Sequence, residues 1–119
     1  AQRVRIAQAL AQEAGILVLD EPTSHLDISF QVEVMDLLAR LNRTRGLTIL
    51  AALHDLNLAS LYCDRLIALR RGHVLRDGPP VEVLEPALLR EVFGVQVEVQ
   101  KEPGRRPRLF LVPAENREA

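Results

Sequence analysis

Two short apolar runs, ILVL at residues 16–19 and LTILAAL at residues 47–53, enclose a single amphipathic pattern. No other feature restricts the fold as strongly. Each run is short and lacks the alternation of a half-exposed strand, so the first reads as a parallel strand covered on both faces. Between the runs, Asp27 can cap a helix, Val34, Leu37, Leu38 and Leu41 share one of its faces, and Gly46 can end it. Strand, helix and strand in that order make a right-handed parallel crossover, the unit of an open α/β sheet. With 119 residues, 48% hydrophobic and 26% charged, the chain suffices for one domain with a real core and hardly for two.

The flanking sequence extends this plan. In residues 2–14, Val4, Ile6, Ala7, Leu10 and Ala11 fall on one side of a helix that Gly15 can close. The chain starts without methionine and already inside that pattern, so it is expected to be a C-terminal fragment of something longer. After the second run, residues 55–63 form another helical pattern, and residues 65–69 and 73–76 read as a hairpin turning at Gly72. Pro79 and Pro80 should break the chain. A further helix covers residues 86–92 up to Gly94, and residues 95–100 and 109–112 form a last strand pair around Pro103 and Gly104. The polar residues 114–119 are expected to fray.

Charge and cysteine content exclude several classes. A net charge of −1 and a pI near 6.3 give no whole-chain attraction to nucleic acid or to an anionic membrane surface. Three Phe and one Tyr supply no stacking platform for bases. Cys63, the only cysteine, permits neither a disulfide framework nor a thiolate metal site, which suits a reducing compartment. No apolar run approaches the roughly 18 to 20 residues of a membrane span.

Open α/β sheets bind ligands beyond the carboxyl ends of their strands. Here Asp20 and Glu21 follow the first strand and His54 follows the second, so three polar groups can converge. The plainer alternative is that the two acids only cap turns. An aspartyl-nucleophile phosphatase would want Asp-x-Asp, and Glu21-Pro22 breaks that pattern. Among the other polar residues, His73 reads as a solvated strand residue and Cys63 as a buried structural thiol. Arg70, Arg71, Arg105, Arg106 and Arg108 read as exposed turn charges.

ILVLDEPTSHLD resembles the Walker B motif and D-loop of an ATP-binding cassette (ABC) ATPase, and ILAALHDLNLA resembles its switch-histidine loop. QRVRIAQALAQ is similar to the helix after the family's signature motif, and LIALRRGHVLRDGPPVEVL to the hairpin of import-type cassettes. The four matches stand in the family's order over about residues 2 to 95. The resemblance implies a P-loop NTPase fold of the ABC type, an α/β domain with a parallel sheet, flanking helices and C-terminal antiparallel hairpins. Residues 1–113 would then be an incomplete, C-terminal part of the nucleotide-binding domain.

The resemblance also implies roles. Asp20 would hold Mg²⁺ on the nucleotide, Glu21 would be the general base in a buried strand-end position, His54 would contact the γ-phosphate, and Asp27 would communicate across a nucleotide-sandwich dimer. His25 falls where many cassettes have alanine and reads as subfamily character. The Gly-x-x-x-x-Gly-Lys-Ser/Thr loop that cradles phosphates, the glutamine loop and the signature motif do not occur in these 119 residues. The implied protein is an ATP- and Mg²⁺-dependent ATPase subunit of an importer. It would dimerise on the cytoplasmic face of the membrane beneath an integral permease, served indirectly by a substrate-binding protein. PTSHLDI, HDLNLASLYCDR and LLREVFGVQVEV most resemble importers of iron-siderophore, haem or cobalamin, so a metal chelate is the expected cargo. The alternative is a DNA-repair or chromosome-organising ABC-type ATPase, against which the import-type hairpin argues.

Overall fold

The computed structural model describes residues 6–8, 15–113 and 115. These fall into two compact units that meet in sequence between His54 and Asp55.

In the first unit, β1 (Ile16–Asp20), α1 (Ile28–Arg45) and β2 (Thr48–Ala52) form the expected crossover. The strands are parallel, in register from Ile16 opposite Thr48 to Asp20 opposite Ala52. Asp27 caps α1 through its carboxylate, which accepts from the Phe30 N–H at 3.1 Å. Gly46 ends the helix in the left-handed conformation at φ 64°, where a side chain would be strained. The buried face of α1 is Val34, Met35, Leu38 and Leu41. Leu37, expected on that face, is half-buried, and the flexible Met35 takes its place. Asn42 donates to the Leu47 carbonyl at 2.8 Å and closes the turn into β2. Of the expected helix over residues 2–14, Ile6, Ala7 and Gln8 are helical with Ile6 buried, and the remainder lies outside the described residues.

The expectation that β1 is covered on both faces is not met. Leu17 and Leu19 are buried, whereas Ile16 and Val18 are 65% and 69% exposed, and Leu50 of β2 is 56% exposed. Successive side chains on a strand point to opposite faces, and the described residues of this unit cover only one face of the two-stranded sheet.

The second unit contains α2 (Leu56–Tyr62), β3 (Leu66–Arg70), β4 (His73–Gly78), α3 (Pro80–Val83), α4 (Pro86–Phe93), β5 (Val97–Gln100) and β6 (Arg108–Leu111). Strands β3 and β4 form an antiparallel hairpin whose turn residues, Arg71 and Gly72, have φ of 50° and 77°. Positive φ at both positions is the geometry that matches strand twist in a two-residue turn. Pairing passes from Ala68 opposite Arg76 to Leu69 opposite Val74, so Leu75 is the extra residue of a bulge. His73 is exposed, as expected. Pro79 and Pro80 do more than interrupt the chain: Pro80 opens the one-turn helix α3, a position its fixed φ and missing N–H suit. Gly94, at φ 69°, stops α4, and β5 and β6 pair antiparallel.

Leu84, Leu89, Val97 and Leu109 form the core of this unit, with Leu56, Leu66 and Val99 packed against them. Arg106 is exposed as expected, and its guanidinium also donates to the Ser60 carbonyl at 3.2 Å, to the Cys63 carbonyl and to the Asp64 carboxylate at 3.0 Å. It thereby satisfies carbonyls that the end of α2 leaves open. Cys63 is half-buried, and desolvation pushes its thiol pKa up despite the nearby Arg106, the environment of an inert thiol. The expected fraying of residues 114–119 lies outside the described residues, apart from Glu115.

Candidate active site

Parallel pairing brings the carboxyl ends of β1 and β2 to the same edge. Asp20 is the last residue of β1 and pairs with Ala52, and the Glu21 N–H continues the ladder by donating to the Ala52 carbonyl at 2.9 Å. The backbone then turns sharply. Glu21 has φ 49°, a conformation uncommon for a residue with a side chain and concentrated at functional sites. Pro22 behind it is almost fully buried, and the Ser24 N–H closes the turn onto the Glu21 carbonyl at 3.0 Å.

The turn aims the Glu21 side chain at His54, and Glu21 Oε1 and His54 Nε2 are in direct contact as a hydrogen-bonded pair. The structure therefore joins two of the residues singled out in the sequence, 33 positions apart. The expected burial of Glu21 is not found. Its side chain is 39% exposed and that of His54 79%, because the strand end projects beyond the side chains that cover β1 and β2. Asp20 lies beside them on the exposed side of the strand.

The loop from residue 21 to 27 is held to α1. Gln31 donates to the Leu26 carbonyl at 3.2 Å and to the Thr23 carbonyl at 3.4 Å, and Thr23 is buried. Gln31 carries no motif, and its only signal in the sequence is its position four residues after the capping Asp27. His25 occupies the left-handed region at φ 63° and is exposed. Asp27 sits at the helix start, where the Phe30 N–H and then the Ser29 hydroxyl hold its carboxyl below the usual carboxylate range. The plainer reading of Asp27, a helix cap, is thus realised in the geometry.

Chemically the strand ends offer two adjacent carboxylates and an imidazole open to solvent. Among the described residues, no group of three or more His, Cys, Asp or Glu side chains could hold a metal ion unaided. Mg²⁺ does not require such a cage, since it is commonly bound by one or two carboxylates plus substrate phosphates and waters. The donor set fits a hard cation that arrives with a polyphosphate.

The structure thus places a carboxylate pair at the end of one parallel strand and a histidine just beyond the end of its neighbour. In sequence the chain is similar to ATP-binding proteins of the ATP-binding cassette family. It is 46% identical over 102 residues to the iron(3+)-hydroxamate import ATP-binding protein FhuC of Bacillus subtilis, which covers 86% of this chain and 38% of that protein. It is 45% identical over 102 residues to the ferric enterobactin transport ATP-binding protein FepC of Escherichia coli, with the same coverage. It is 42% identical over 118 residues to the hemin import ATP-binding protein HmuV of Bordetella avium, covering 93% of this chain and 45% of that one. The chain thus spans 38% to 45% of the length of these relatives. No family model matches.

Solved structures agree on the fold. An inward-facing metal-chelate type ABC transporter superposes with a TM-score of 0.83 over 96% of this chain and 46% of its own, at 23% identity. The dimeric ATP-binding cassette MJ0796 in a post-hydrolysis state with ADP and Pi superposes with a TM-score of 0.59 over 66% of this chain and 33% of its own, at 40% identity. The α/β P-loop NTPase fold of the ABC type, with antiparallel hairpins after the crossover, is therefore the fold of this chain. No helix among the described residues is long and apolar enough to cross a membrane.

Proposed function

We propose that residues 1–113 are the C-terminal part of a nucleotide-binding domain that hydrolyses ATP to drive import of a metal chelate. The observation that carries this reading is the contact between Glu21 and His54 at adjoining ends of parallel strands. In it, Glu21 is the general base. Its Oε1 is turned to His54, and Oε2 is the oxygen we assign to take the proton from the attacking water. His54 orients that water and contacts the γ-phosphate. The 79% exposure of its side chain leaves the imidazole reachable by a ligand. Asp20 would hold Mg²⁺, which when bound supplies charge neutralisation at the phosphate oxygens. Asp27, at the end of the loop, would face a second nucleotide-binding subunit.

The partners follow from the same reading: a dimer of such subunits beneath an integral permease on the cytoplasmic face of the membrane, with a substrate-binding protein acting indirectly. The names of the relatives, which concern hydroxamate, enterobactin and hemin uptake, support a metal chelate as cargo. In the complete protein, Glu21→Gln should keep ATP binding and lower turnover by roughly 10²- to 10⁴-fold, because it preserves shape and removes the base. Turnover within a factor of two of the unsubstituted protein, measured as phosphate release at saturating Mg-ATP, would refute the assignment.

A further inference from the structure

The loop between β1 and α1 carries two residues in the left-handed region, Glu21 at φ 49° and His25 at φ 63°, and neither is a glycine. Such backbone persists only where its surroundings hold it. The sheet holds one end, through the Glu21 N–H on the Ala52 carbonyl at 2.9 Å. Beyond Glu21 the chain makes two overlapping turns, closed by the Ser24 N–H on the Glu21 carbonyl at 3.0 Å and by the Leu26 N–H on the Thr23 carbonyl at 3.4 Å, the second a long bond. Gln31 fastens these turns from the side of α1. Its Nε2 donates to the Thr23 carbonyl at 3.4 Å and to the Leu26 carbonyl at 3.2 Å, so both amide hydrogens are used on the loop. Helical spacing sets Gln31 one turn before Val34 and Met35, on the stripe of α1 that is otherwise buried and apolar. A carboxamide at an apolar position, half-buried and aimed at two backbone carbonyls, is placed to hold them.

We infer that Gln31 is a positioning residue for Glu21, fixing the path of the chain that leaves Glu21 so that its carboxylate is turned to His54. The inference rests on the reading of Glu21 as the base given above, and every residue it uses lies within the first unit. Gln31 touches neither nucleotide nor water in this account. Burial of Pro22 and Thr23 keeps the chain against the unit, and the Gln31 bonds set which way its carbonyls face. The backbone between Glu21 and Thr23 is thus held at both ends, by Ala52 on the sheet side and by Gln31 on the helix side. A residue before proline favours extended backbone, so with the helix-side end released Glu21 relaxes to negative φ and its side chain leaves His54. Displacement of a positioned group by about 1 Å can lower a rate by about 10²-fold, so even a small shift is measurable.

The experiment compares Gln31→Met, Gln31→Glu, Gln31→Lys and Glu21→Gln in the complete protein, with the double variant of Gln31→Met and Glu21→Gln, by single-turnover phosphate release and by KM for ATP. Gln31→Met keeps the length and removes both donors. Gln31→Glu keeps the shape without the donors and serves if the methionine variant does not fold. Gln31→Lys restores donors that reach the same carbonyls. The expected result is a fall in kcat of about tenfold or more for the methionine and glutamate variants with KM unchanged within twofold, recovery in the lysine variant, and little further loss when Glu21 is already glutamine. Turnover within twofold, a loss accompanied by an equal rise in KM, no recovery with lysine, or full additivity with Glu21→Gln would each overturn the inference. If Glu21→Gln itself keeps turnover, the reading of Glu21 fails and this inference falls with it. If only the Gln31 variants keep turnover, the inference fails alone.

Discussion

The two units differ in how they bury apolar surface. The second encloses its own core, Leu84, Leu89, Val97 and Leu109, from elements within residues 55–119. The first carries the proposed site, Asp20, Glu21 and His54, on a two-stranded sheet that leaves Ile16, Val18 and Leu50 in solvent. The hairpins of the second unit also bury one face and leave Leu69, Val74 and Leu111 of the other in solvent.

Truncating one apolar residue in each unit gives the largest test of this contrast. Leu89 is 3% exposed and belongs to the core cluster, so Leu89→Ala should cost about 2 to 5 kcal/mol through lost burial and a residual cavity. Val18→Ala, at a position 69% exposed, should stay within about 0.5 kcal/mol in residues 1–119. Denaturant unfolding reads both. A Val18 cost as large as that of Leu89 would mean that the outer face of β1 is covered in solution, and the contrast between the units would disappear.

A smaller effect should be the same in both units. Gly46 and Gly94 each end a helix in the left-handed region, at φ 64° and 69°, and neither has an atom within 4 Å of where a Cβ would stand. Alanine at either site therefore meets no clash and should cost only the backbone penalty, about 1 to 2 kcal/mol. Equal losses in thermal or denaturant unfolding would show that the units differ in packing and not in local chain chemistry. A cost confined to Gly94 would sharpen the comparison, placing the end of α1 outside the cooperative structure.

Local signals made most of this legible. Apolar runs, Asp27 as a cap, Gly46 and Gly94 as stops and Gly72 as a turn all depend on residues near in sequence, and each is found where the pattern puts it. The Glu21–His54 contact was foreseeable because parallel strands place their carboxyl ends together. What the sequence hides is set by distant partners. Whether a continuous apolar strand is covered once or twice depends on layers elsewhere, which is why the pattern alone does not reveal the exposure of Ile16 and Val18. Arg106 gave no sign of its target because Ser60 and Cys63 offer it backbone carbonyls, which every residue has. Asn57 and Ser60 are similar, since their partners are the carbonyl or amide of Leu109 and Pro107.

The smallest expected effect is electrostatic and belongs to the second unit. Arg65 grips Asp77 with both arms of its guanidinium, Nε donating to Oδ1 at 2.6 Å, and this holds the Asp77 carboxyl below its usual range and raises the Arg65 pKa. A carboxylate whose pKa is lower folded than unfolded stabilises the fold above its unfolded value, about 3.9, and loses that contribution as pH falls through the folded value. The pair is solvent-exposed and screened, so the effect at neutral pH should be slight. Asp77→Asn should lower the melting temperature a little at pH 7, and the difference should shrink as acid protonates the carboxyl in the folded state. Asp27, held low by the Phe30 N–H at the start of α1, should behave in the same direction in the first unit. Melting curves of Asp77→Asn and Asp27→Asn between pH 2 and pH 7 would therefore separate the units. If acid erases the effect of one substitution and leaves the other, the surviving one acts through geometry and not charge.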